Sequence, residues 1–199
     1  MGYSSYFFQL CGLSASTSFS LSVGVSFLGL LGVILSWFLI NRAGRRSTSL
    51  FGVAILTVIL LLLAILDVLP ASARGATYGQ VVCIIIFAFS FLLTIGPSSF
   101  ALYAEVPSSR LRSRTIGLGV LVQNLFGIVL NIVIPLLISP DAANLKGKIG
   151  FIFGGTAFAS FIWLWFRVPE TKGKSFAQLD ELFEKCVPVR EFQTYHLSI

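Results

Sequence analysis

Three short polar stretches between or after apolar runs carry nine of the 22 charged side chains in this chain. They read "NRAGRR", "YAEVPSSRLRSR" and "PETKG". An unpaired carboxylate at the edge of an apolar helix is costly, so Glu105 is expected to pair with an arginine. Its partner would be Arg112 or an arginine of "NRAGRR". An ordinary charge in contact with interfacial water is an equally good interpretation of Glu105.

Amide side chains are a second source of chemistry, because Gln123, Asn124 and Asn131 lie inside an apolar stretch. An unsatisfied amide is disfavoured in lipid, so each requires a ligand or a neighbouring helix. Intramembrane catalysis would need a nucleophile with a base, or a metal cluster, and the sequence shows neither at depth. It predicts a protein that is not an enzyme and that has no metal or cofactor.

The composition of the chain predicts which secondary-structure elements hold these charged and amide side chains. The chain of 199 residues is 56% hydrophobic and only 11% charged. Apolar runs of about 20 residues match the length that a helix needs to cross a bilayer. The sequence predicts an all-α integral membrane protein whose five spans cover about 19–40, 48–69, 78–103, 115–139 and 149–168.

Basic residues predict the orientation of the spans. Arginines cluster between the first and second spans and between the third and fourth, and basic residues also follow the fifth. The positive-inside rule places these loops and the carboxyl terminus in the cytoplasm. The net charge of +6 is therefore attributed to topology, and no nucleic-acid partner is expected.

The three charged loops, in this order, resemble those of the sugar porters of the major facilitator superfamily. "NRAGRR" is similar to the loop between helices eight and nine, Glu105 to Arg112 to the motif after helix ten, and "PETKG" to the signature after helix twelve. The stretches "GYSSYFF" and "TIGPSSFALYAEVPSSRLRSRT" resemble most closely the fungal maltose and α-glucoside permeases.

The resemblance implies the carboxyl-terminal half of a twelve-helix fold. Residues 3–10 would be the end of helix seven, and the five spans helices eight to twelve. Residues 1–168 would form the partial bundle and 169–199 a cytoplasmic tail with a short amphipathic helix. A chain of this kind is expected to be a piece of a longer transporter that needs its amino-terminal six-helix half.

The resemblance also assigns roles to individual residues. Sugar would be contacted by Gln123, Asn124, Phe100 and Tyr6, and Gly96 with Pro97 would interrupt the third span as a hinge. The charged loops would act as cytoplasmic gating motifs, through Arg42, Gly44, Arg45, Arg46, Glu105, Arg112, Pro169, Glu170, Thr171, Lys172 and Gly173. For Asn131 we favour a hydrogen bond between helices, and a lipid-facing or core aromatic is the alternative interpretation of Phe100.

Sugar transport by alternating access, with maltose, another α-glucoside or a hexose as substrate, is the implied function. The coupling ion would be a proton, with its acceptor in the amino-terminal half, and the membrane would be the plasma membrane. A non-transporting sugar sensor of the same fold, or a non-functional gene fragment, are the alternative interpretations.

Overall fold

The computed structural model describes residues 4–10, 12–68, 74–107, 111–138, 148–173, 178 and 181–182. The regular elements in these ranges are all α-helices. They are α1 (Ser4–Leu10), α2 (Ala15–Ala43), α3 (Arg45–Val68), α4 (Arg74–Leu93), α5 (Ile95–Glu105), α6 (Arg112–Ile138) and α7 (Ile149–Arg167).

Five helical segments of the described chain are long and apolar enough to cross a membrane. These are α2, α3, α6, α7 and the combined segment Tyr78–Glu105, which contains most of α4 and all of α5. The predicted all-α fold with five spans is therefore confirmed. The chain is a multi-pass membrane protein.

The third span is broken at Thr94, two residues before the predicted Gly96–Pro97 interruption. Proline has no amide hydrogen, so Pro97 cannot bond to the carbonyl four residues back, at Leu93, which is where α4 ends. Thr94 has φ −119° and ψ −77°, and its hydroxyl donates to the Ser90 carbonyl at 2.6 Å. The break is buried against α3, where Gly52 leaves room for the Thr94 side chain.

Helix α3 organises the packing of the bundle, since it contacts α4, α5 and α7. Helix α2 packs on α4, and α1 packs on α2 through a hydrogen bond of 2.6 Å between the Ser5 and Ser22 hydroxyls. Helix α6 packs on α5, and no residue of its apolar central window is buried. Most of its apolar surface is therefore open to lipid or to another bundle.

The contact between α3 and α7 depends on Gly150. A Cβ atom at this position would lie 2.6 Å from the Leu60 carbonyl oxygen and 3.1 Å from the Ala64 Cβ. We expect Gly150→Ala to force the helices apart and to lower the free energy of unfolding by about 1–3 kcal/mol. Thermal unfolding of the purified chain in detergent measures this change.

Gly155→Ala on the same helix is the matched control, because a Cβ atom there meets nothing within 4 Å. That variant is expected to be neutral, or stabilised by up to about 1 kcal/mol through helix propensity. Equal unfolding temperatures for the two variants would contradict the packing role of Gly150.

Candidate functional site

The first candidate site is a charge cluster at one end of the bundle, built around a one-residue link between two helices. Helix α2 ends at Ala43, α3 begins at Arg45, and Gly44 joins them with φ 88° and ψ 165°. The Gly44 amide donates to the Ile40 carbonyl at 3.0 Å. Its own carbonyl accepts from the Thr48 hydroxyl at 2.7 Å, so both helix ends are held at this turn.

The segment after α7 folds back onto this turn. Val168 is extended, as expected for a residue before proline, and it brings Glu170 beneath α3. The Glu170 carboxylate accepts from the Arg45 amide at 3.0 Å and is 7% exposed. The Lys172 ammonium donates a hydrogen bond of 2.6 Å to the Arg42 carbonyl, at the carboxyl end of α2. An anion at a helix amino terminus and a cation at a carboxyl terminus both stabilise the helix dipoles.

Glu105 connects α5 to the same turn. Its Oε1 atom accepts from Arg45 Nη2 at 2.8 Å and from Arg45 Nε at 3.1 Å. Its Oε2 atom accepts from the hydroxyl of Thr171, which is buried. Of the partners that the sequence left open, the described structure thus shows Arg45 paired with Glu105. One carboxylate links α3, α5 and the segment after α7.

The remaining residues of the three polar stretches lie around this centre. Arg46 donates to the Trp165 carbonyl at 2.8 Å, which ties α3 to the last turn of α7. Pro169 is buried, Gly173 has φ 77°, and Arg112 begins α6 and is half-buried. We refer below to the charge cluster as the set Arg42, Gly44, Arg45, Arg46, Glu105, Glu170, Thr171 and Lys172.

The second candidate site is a groove between α5 and α6, with a volume of about 720 Å³. Gln123 lines this groove and is exposed. It lies 11 residues after Arg112, which places it about 16 Å along α6 from the charged end, near the middle of the span. The groove is lined by Tyr103, Thr115, Leu118, Gly119, Val122, Gln123, Phe126, Gly127 and Leu130.

The other predicted sugar contacts are placed differently. Phe100 is 62% exposed and packs edge to face on Tyr103, with ring centroids 6.5 Å apart, so it adjoins the groove. Asn124 is exposed but follows Gln123 on a helix, which turns it by about 100°. Tyr6 lies on α1 beside the first turns of α2, and it does not line the groove.

Two groups at these sites were missed by the sequence reasoning. Tyr103 faces α6 and lines the groove, three residues after Phe100 on the same helix face. That spacing could have drawn attention to it. The Trp165 carbonyl, which binds Arg46, gives no sequence signal because every residue has one. Asn131 donates to the Gly127 carbonyl of its own helix at 2.8 Å, and the hydrogen bond between helices favoured for it stays a prediction.

Comparison with known families shows to which family the chain belongs. The model of the family described as "Sugar (and other) transporter" matches residues 1–183. The chain belongs to this family. It is related to the sugar porters of the major facilitator superfamily and to the yeast maltose permeases, as its sequence resemblance indicated.

Similar proteins of Saccharomyces cerevisiae include the maltose permease MAL31, which is 32% identical over 194 residues. The alpha-glucosides permease MPH3 is 34% identical over the same length. Each alignment covers 98% of this sugar porter chain, but 31% and 32% of the relative. The chain therefore spans about a third of the length of these permeases.

Solved structures show the same fold. The xylose transporter XylE from E. coli in its inward open conformation superposes with a TM-score of 0.71 at 20% identity, over 89% of this chain and 39% of that one. XylE bound to 6-bromo-6-deoxy-D-glucose gives a TM-score of 0.75 at 19% identity, over 90% and 38%. The sugar porter chain thus has the architecture of part of a major facilitator transporter.

Proposed function

We propose that this chain forms most of the carboxyl-terminal half of a sugar transporter that works by alternating access, with five spans and the end of a sixth helix. The observation that carries the proposal is the groove between α5 and α6, which presents the Gln123 amide near mid-span beside aromatic rings. A neutral sugar has hydroxyl groups in many directions, so amides and ring faces suit it better than charges do. The names of the yeast relatives favour maltose or another α-glucoside, with hexoses as the alternative.

A second six-helix half is part of this proposal. Exposed large apolar side chains cover α2 and α6, among them Phe27, Phe38, Leu118 and Phe126. Substrate sites of such transporters lie at the bilayer midplane between two repeats, so the partner would cover these faces and complete the site. The coupling ion would be a proton, with its acceptor on the partner half.

The charge cluster is proposed as a gate on the cytoplasmic side. Basic residues accumulate at this end of the described helices, so by the positive-inside rule it would face the cytoplasm. The carboxyl-terminal tail, 169–199, would lie on that side, and the plasma membrane is the proposed location. Opening the gate would require Glu105 and Glu170 to leave their partners, so the cluster would favour the state closed towards the cytoplasm. Most of the predicted tail helix lies outside the described residues, within which Leu182 is buried.

The experiment is uptake of labelled maltose and glucose by yeast cells that lack their own maltose and α-glucoside permeases. The chain would be produced alone and together with the part of the S. cerevisiae maltose permease that precedes the region aligned with this chain, and copurification would report assembly. We expect uptake from the assembled pair only, and loss of accumulation when a protonophore collapses the proton gradient. An assembled pair that takes up neither sugar would refute the proposal.

Gln123 and Asn131 provide a matched pair of amides on α6 for the same assay. Gln123→Ala should raise the KM for sugar by up to about tenfold, the effect of one lost hydrogen bond. Asn131→Ala should leave the KM unchanged, because its amide bonds to the Gly127 carbonyl of its own helix. Equal KM values for the two variants would remove Gln123 from the site.

A further inference from the structure

The groove between α5 and α6 has free space on both sides of Gln123. Gly119 lies four residues before Gln123 and Gly127 four residues after it, and all three line the groove. Positions four apart are neighbours on one face of a helix, about 6 Å apart along its axis. A Cβ atom at Gly127 would meet nothing within 4 Å, and one at Gly119 would meet only Tyr103 Cε1, at 3.9 Å.

Tyr103 borders the space on the Gly119 side. Its ring lies over α6 at the level of Gly119, one helical turn from Gln123 towards the charge cluster. Phe100 packs edge to face on the Tyr103 ring, with an interplanar angle of 80°, and this contact restricts the orientation of Tyr103. Tyr103 is 39% exposed, so it offers a ring surface and a hydroxyl to the groove.

The length of the groove exceeds what one sugar ring would occupy. Its lining on α6 extends from Thr115 to Leu130, about 22 Å along the helix. Its volume of about 720 Å³ is within the range of small-molecule sites. The central amide therefore has room for one ring on its Gly119 side and a second ring on its Gly127 side.

We propose that this groove selects a disaccharide over a hexose, and that Tyr103 is the specificity-determining residue. The Gln123 amide binds near the junction of the two rings, and the exposed part of Tyr103 contacts the ring on the Gly119 side of that amide. A hexose fills one of the two spaces and binds without Tyr103. This inference rests on the proposed sugar transport and chooses an α-linked disaccharide such as maltose from the substrates left open there.

The test measures the Kd values for maltose and for glucose by equilibrium binding. It uses the full chain assembled, in lipid nanodiscs, with the same part of the S. cerevisiae maltose permease. Tyr103→Ala is expected to raise the Kd for maltose about tenfold or more, through loss of a hydrogen bond and a ring contact. The Kd for glucose should change less than about threefold. Tyr103→Phe should give a smaller rise for maltose, since it keeps the ring and loses only the hydroxyl.

Two glycine variants test the space next to Tyr103. Gly119→Leu should block the ring position next to Tyr103 and raise the Kd for maltose selectively. Gly117→Leu is the control, because Gly117 does not line the groove and a Cβ atom there meets nothing within 4 Å. A purely structural defect would weaken the binding of both sugars together and would leave the ratio of the two Kd values unchanged.

The possible outcomes separate the two proposals. A selective loss of maltose binding in Tyr103→Ala and Gly119→Leu supports the assignment. If the wild-type assembly binds both sugars and the variants leave the ratio of the two Kd values unchanged, the role of Tyr103 is overturned. The transport proposal then stays in place. A wild-type assembly that binds neither sugar overturns both.

Discussion

Gly44→Ala is expected to destabilise the bundle and to release the segment after α7 from the turn between α2 and α3. The backbone at Gly44, with φ 88° and ψ 165°, lies in a region that is almost restricted to glycine. An alanine there costs about 1–3 kcal/mol in backbone strain alone. Its Cβ atom would also lie 2.6–2.8 Å from the carboxylate atoms of Glu170.

The clash with Glu170 makes Gly44→Ala more destabilising than backbone strain alone would make it. Glu170 cannot retreat without losing its bond to the Arg45 amide, which would leave the amino terminus of α3 without its anionic cap. The two losses together should lower the unfolding free energy by about 1.3–4 kcal/mol, by addition of about 1–3 kcal/mol for strain and 0.3–1 kcal/mol for the cap. Thermal unfolding in detergent would show the loss, and faster trypsin cleavage at Lys172 would show that the segment has been released.

Gly173→Ala separates strain from clash. Gly173 also has a positive φ, of 77°, but a Cβ atom there meets nothing within 4 Å. This control should lose stability through backbone strain and keep the Glu170 contact, so trypsin cleavage at Lys172 should stay slow. If both variants unfold alike and are cleaved alike, the close approach of Glu170 to Gly44 has no energetic role.

Sequence patterns predict the spans well because bilayer thickness fixes the length of an apolar helix. They miss the helix ends, where local caps decide. Helix α2 begins at Ala15, ahead of the apolar run predicted from residue 19, because the Ser14 side chain accepts from the Thr17 amide and caps it. Helix α3 begins at Arg45 instead of residue 48, since Gly44 joins the two helices without a loop.

The contacts of the candidate sites are harder to predict. The partner of Glu105 is 60 residues away in sequence, and only the Gly44 turn brings the first residue of α3 to the end of α5. Membrane helices are apolar on most of their faces, so periodicity does not show which side of α5 faces α6. For that reason only its spacing from Phe100 distinguishes Tyr103, in the sequence, from the many other aromatic residues of the chain.

Removal of one partner of the Arg45–Glu105 pair should cost more than removal of both. The two side chains are 21% and 19% exposed, so either charge left alone would be largely shielded from water. We expect Glu105→Met and Arg45→Met each to lower the unfolding free energy by about 3 kcal/mol. In the double variant no unpaired charge remains from this pair, and two apolar side chains of similar length pack in its place. Its loss should be smaller than that of either single variant.

A double-mutant cycle, measured by denaturant unfolding in mixed micelles, isolates the coupling from other effects of each substitution. Arg46→Met with Glu105→Met is the matched control cycle, because Arg46 donates to the Trp165 carbonyl. Its two losses should add to within about 0.5 kcal/mol. The Arg45 cycle should show a coupling of about 3 kcal/mol or more, because each single loss is about 3 kcal/mol and the double loss is smaller than either. Additivity in the Arg45 cycle would mean that Glu105 is held by Thr171 and by its surroundings alone. Breaking the pair could then not be the step that opens the gate, and the gating role would have to rest on Glu170 at the α3 terminus.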